Sequence, residues 1–159
     1  MKKYIPSFFT IILFVSLIAC QTDDEFPPEP SISLGDFIIY ESDSAHFNFS
    51  FTDGDGDLGL SQSDTAAPFD FNTFFTYSEM QNGSWVDFDL GDLGYYYRIP
   101  TLQDGPNPKA ISGEIRVTLI PYFNASASAL SDTFKWSVFV QDKALNQSNT
   151  IETQAYIKP

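Results

Sequence analysis

Phe47, Phe49 and Phe51 alternate with Asn48 and Ser50. A period of two puts every second side chain on one face, so this run predicts a strand with one buried side. Ile115, Val117 and Leu119 repeat the pattern, as do Phe134, Trp136, Val138 and Val140, and then Ile151, Thr153, Ala155 and Ile157. Phe37-Ile38-Ile39-Tyr40 predicts an earlier strand, joined to the Phe47 run through a Glu41-Ser42-Asp43-Ser44 turn. Residues 71–80 and 85–88 flank Gln81-Asn82-Gly83-Ser84. Asn-Gly between two β-rich runs predicts a hairpin, because both central residues of a type I′ turn need positive φ. Residues 95–99 predict a further short strand that stops at Pro100. No segment sustains a helical period. Seven or eight short strands with frequent turn signals predict an all-β, antiparallel β-sandwich, with Trp136 in its core.

Composition supports a folded domain and narrows its partners. Sixteen phenylalanines and eight tyrosines in 159 residues are too many for a disordered chain. The net charge of −13 repels nucleic acid and anionic lipid. That charge is uneven. Between Cys20 and Asp104, Arg98 is the sole base among many acids, whereas from Gly105 onward acids and bases balance. A cation would relieve the first half. Cys20 is the single cysteine, which excludes an intramolecular disulfide.

The first residues form a separate unit. Lys2 and Lys3 precede an apolar run over 8–19, which has the length of a secretory h-region and is shorter than a membrane span. The run closes on Leu17-Ile18-Ala19-Cys20, which resembles a bacterial lipobox. The resemblance implies a signal peptide over residues 1–19, removal of it before Cys20, and lipidation of the Cys20 thiol and of the new amino terminus. Several acyl chains on one residue anchor stably. Gln21-Thr22-Asp23-Asp24-Glu25 resembles the acidic export signal of Bacteroidota surface lipoproteins, and Phe26-Pro27-Pro28-Glu29-Pro30 predicts an extended spacer. The expected organisation is a signal peptide (1–19), a disordered acidic and proline-rich tether (20–31) and one β-sandwich domain (32–159).

Thr52-Asp53-Gly54-Asp55-Gly56-Asp57-Leu58-Gly59 follows directly on the Phe47–Phe51 run. Three carboxylates two residues apart repel one another and can converge on a hard cation where glycines let the backbone fold tightly. With Asp53 as position 1, Ser61 and Asp64 fall at positions 9 and 12, so the loop resembles part of an EF-hand. Leu58 in place of the turn glycine, Asp64 in place of the usual glutamate, and the lack of flanking helices depart from that family. The alternative is an ordinary polar turn. Asp142-Lys143-Ala144-Leu145-Asn146 resembles the Asp-x-Ala-Gly-Asn turn of bacterial immunoglobulin-like domains, with Leu145 in place of glycine. Together these two stretches resemble uncharacterised Bacteroidota lipoproteins with an immunoglobulin-like domain. In that fold the Phe47 strand is B and the Phe134 strand is F, and the loops after them lie at one end. The resemblance thus brings Asp142 towards Asp53, Asp55 and Asp57. The expected metal set is Asp53, Asp55, Asp57, Asp64 and Asp142, with Ca2+ as the ion.

No catalytic set emerges. His46 is the single histidine, on the outward side of its strand, and the chain holds no nucleophile elbow and no phosphate loop. Trp85 and Tyr96 offer rings on which a sugar could stack. The reading is a lipid-anchored, non-enzymatic interaction or structural module of the bacterial outer membrane, facing the cell surface, with an envelope protein or glycan as partner. The alternative is a glycan-binding accessory lipoprotein.

Overall fold

The computed structural model describes residues 26–40, 43–88, 95–103, 109–123 and 131–159. Cys20 and the signal and export segments lie outside the described residues. Among those described, nine strands form, and no helix is long and apolar enough to cross a membrane. The strands are β1 (Ser31–Ile39), β2 (Ala45–Asp53), β3 (Thr73–Gln81), β4 (Ser84–Phe88), β5 (Tyr96–Tyr97), β6 (Ile111–Leu119), β7 (Thr133–Val140), β8 (Ile151–Glu152) and β9 (Tyr156–Ile157). One sheet has the order β1-β2-β6. The other has the order β4-β3-β7-β8, with β5 on β3 and β9 on β7, and every pairing is antiparallel.

The alternating residues place the core between the sheets. Phe47, Phe49 and Phe51 of β2 face Phe75 and Tyr77 of β3 and Phe134, Trp136, Val138 and Val140 of β7, all buried. Phe47 meets Phe75 edge-on at 5.1 Å. Trp136 lies against Tyr77 and Tyr95 at 5.1 and 4.7 Å, and its indole N–H donates to the Tyr122 carbonyl at 2.7 Å. That bond lets a polar ring sit fully buried without stranding its donor. The predicted hairpin forms, with φ of 51° at Asn82 and 82° at Gly83.

Three features differ from the sequence expectation. First, the strand count is nine, because the final run divides. Thr153 N–H donates to the Trp136 carbonyl, but Trp136 N–H donates to the Thr153 hydroxyl rather than to a backbone carbonyl. The ladder breaks there, and the inward side changes parity. Ile157 is 71 % exposed, while Tyr156 packs on Phe37 and Phe134. Second, β1 begins at Ser31 and carries an irregularity between Leu34 and Phe37. Third, part of the expected tether is docked: Pro30 is buried, and Gly54 N–H donates to the Pro27 carbonyl at 2.8 Å.

A buried ion pair closes the far end. Glu79 follows the inward parity of β3 and is fully buried, where it accepts from the Tyr77 hydroxyl at 3.0 Å and pairs with Lys158.

Candidate metal centre

Asp53 is the last residue of β2, in phase with Phe47, Phe49 and Phe51. Strand parity therefore carries its carboxylate inward, and it is fully buried. Asp142 stands two residues beyond Val140 and continues the inward phase of β7 in the same way, at 2 % exposure. Because β2 and β7 belong to facing sheets and end at the same side, the two buried carboxylates meet. Carboxylate oxygens of Asp53, Asp57 and Asp142 all lie within 4.8 Å of one another.

Each carboxylate is positioned by backbone donors. Asp53 Oδ2 accepts the Leu58 N–H at 2.7 Å, which closes the turn over Gly56 at φ 72°. Asp57 is held by the backbone of Lys143 and Ala144 in the opposite loop. Asp142 accepts from the N–H and the side-chain amide of Asn146, both at 2.8 Å. These bonds leave Asp53 Oδ1, Asp55 Oδ1 and Asp57 Oδ1 buried with no partner among the described residues. Burial pushes the Asp53 carboxyl up to about 6, opposed by the Leu58 N–H and reinforced by the charges of Asp55, Asp57 and Asp142. Asp57 is raised by burial and by Asp142 and Asp55.

Orphaned carboxylate oxygens in a buried cluster could serve as ligands to a hard cation. The donors are all oxygen, without histidine or cysteine, which suits calcium or magnesium rather than zinc. Asp53, Asp57 and Asp142 would hold the ion, and Asp55 offers a further free oxygen.

Asp64 stands apart from this cluster. Its Oδ2 accepts the Ser61 N–H at 2.7 Å, and this turn, with the nearby charges of Lys143 and Arg98, lowers its pKa. EF-hand spacing presumes a helical exit that would swing position 12 back to the ion. Here the residue is captured by its own local turn instead. His46 is engaged away from the centre, with its Nδ1 3.0 Å from the Tyr40 hydroxyl. Trp85 and Tyr96 both lie on the outer face of the six-stranded sheet. Lys135 sits 4.9 Å over the Trp85 ring, and Tyr96 contacts Phe74 and Phe71 at 5.3 and 5.8 Å.

Leu145 has φ 68°, the left-handed conformation that the glycine of the resembled turn would adopt freely. The side chain is 42 % exposed, so removing it also gives up the burial of the rest. Leu145→Gly is expected to shift stability by no more than about 1 kcal/mol, because the relieved strain is offset by the lost burial and by a more flexible unfolded chain. Urea denaturation at constant m-value checks this.

No family model matches the chain, and comparisons with curated proteins and with solved structures find no match.

Proposed function

We propose that this chain is a lipid-anchored module of the bacterial outer membrane that contacts or braces other envelope components without catalysis. In this reading the fold is immunoglobulin-like and a calcium ion holds its acidic end together. Asp53 Oδ1 carries the cation part: a fully buried oxygen, without a partner, sits among carboxylates from two loops. Asp53, Asp55 and Asp57 lose their mutual repulsion when an ion sits between them. The strand orders β1-β2-β6 and β4-β3-β7-β8 support the fold reading, since they correspond to A-B-E and C′-C-F-G of an immunoglobulin sandwich. The anchor rests on Leu17-Ile18-Ala19-Cys20.

The test is a calcium titration of the mature chain by calorimetry and thermal melting. Calcium at a hundredfold excess over its dissociation constant stabilises by about 2.7 kcal/mol. Magnesium does less, because it demands a tighter octahedron and keeps its waters. No heat and no melting shift at millimolar calcium would leave the polar-turn alternative. An acyl mass on Cys20 of the native protein is the companion measurement for the anchor.

One observation favours glycan binding as a second reading. Trp85 and Tyr96 share one solvent-facing sheet surface, with the carboxylates of Asp87 and Glu152 beside Ser78 and Lys135. Binding on a glycan array that disappears in both Trp85→Ala and Tyr96→Ala would support it. An array on which the parent chain binds nothing would remove it.

A further inference from the structure

The acidic loop does more than gather carboxylates: it also grips the incoming chain. Gly54 lies between Asp53 and Asp55, and its N–H donates to the Pro27 carbonyl at 2.8 Å. A Cβ at position 54 would stand 2.0 Å from the Phe26 carbonyl oxygen and 2.4 Å from that of Pro27, so only glycine admits the chain here. The loop that carries Asp142 grips the next few residues. Asn149 accepts the Ile32 N–H at 2.9 Å through Oδ1 and donates to the Ile32 carbonyl at 2.8 Å through Nδ2. Pro30, between these two grips, is buried. The two loops that supply the carboxylates are thus the two loops that hold residues 26–32.

We propose that cation binding at Asp53, Asp57 and Asp142 and docking of the 26–32 strap form one coupled equilibrium, so that loss of the ion releases the strap. This rests on the cation reading above. The physical link is the Asp53-Gly54-Asp55-Gly56-Asp57 backbone. Without an ion the carboxylates repel, and the turn that presents the Gly54 N–H to Pro27 loses its reason to stay closed. With an ion the turn is fixed, and both grips are pre-formed. Coupling of this kind is reciprocal: a change that undocks the strap must weaken the ion by the same factor that the ion strengthens docking.

Gly54→Ala separates the two partners, since it obstructs the strap and removes no carboxylate. Calorimetry on the full mature chain is expected to show calcium binding weakened about tenfold in Gly54→Ala, within the usual span of coupling energies. Hydrogen exchange on the unaltered chain gives a measurement that needs no variant. On adding calcium, the Gly54 and Ile32 amides slow about tenfold, while amides of the distant 81–84 hairpin keep their rates. Calcium affinity unchanged in Gly54→Ala, or Gly54 and Ile32 exchange indifferent to calcium while calcium binds the unaltered chain, overturns the coupling and leaves the cation site standing. No calcium binding to the unaltered chain overturns both.

Discussion

Lys158→Ala destabilises the domain by about 3–5 kcal/mol, the range found when one partner of a buried ion pair is removed. Glu79 is fully buried and has two partners, the Tyr77 hydroxyl and Lys158, and its Oε2 has none among the described residues. Without the ammonium the carboxylate stays buried and uncompensated. The penalty comes from the stranded charge rather than from the pair's intrinsic worth, so the double variant Glu79→Met with Lys158→Met recovers most of the loss. A double-mutant cycle by urea denaturation checks both statements. Additive losses in the cycle would show that the pair does not act as a unit.

Asp53→Asn is expected to act with opposite signs in chelator and in calcium. In the cation-free folded chain the Asp53 carboxyl is pushed up to about 6 from 3.8. Folding therefore favours its protonated form. The contribution is complete below pH 3.8 and is lost as pH rises through about 6, a swing of about 3 kcal/mol. Asp57, also raised, acts in the same direction. The cation-free domain should thus lose stability between about pH 4 and pH 7, and calcium should flatten that profile. An asparagine keeps an oxygen for the Leu58 N–H and turns the orphaned oxygen into a donor facing two carboxylates. At pH 7.5 in chelator, Asp53→Asn raises stability by about 2 kcal/mol, most of the penalty carried by the charge. In saturating calcium the same variant is the less stable protein, because a ligand is gone. Thermal melts over pH, with and without calcium, provide the check. A variant that melts lower in chelator would contradict a repulsive cluster.

The alternating runs were legible because a strand's two faces meet different surroundings at every step. Phe47, Phe49, Phe51, Phe134 and Trp136 therefore reported their own burial. Asn82-Gly83 was legible because its turn demands positive φ at both positions. The meeting of Asp53 with Asp142 needed the fold as well, since 89 residues of sequence separate strands that only the sandwich brings together. What stayed hidden depends on distant partners. Glu79 reads as one more strand residue, and its burial makes sense only once Lys158 arrives from 79 residues away. The slip at Thr153 comes from one side-chain hydroxyl standing in for a carbonyl, which leaves no mark on a hydrophobic pattern. Docking of Phe26 and Pro27 was masked by their prolines and acids, which describe an isolated spacer correctly. Only the missing Cβ at Gly54 marks where that spacer is received.

Among the described residues the three-stranded sheet ends at β6, which leaves one row of its main-chain groups without a neighbouring strand. Such a row templates chain-on-chain growth when it is long, flat and apolar. Here Glu114 and Arg116 alternate on its exposed side, Gly113 weakens it, and the Tyr97 hydroxyl donates to the Thr118 carbonyl at 3.2 Å. The strip open to another copy is charged on its outer side and interrupted by Gly113. For a protein that the proposed anchor would concentrate in two dimensions, this edge is thereby a poor template for growth from copy to copy at high local density.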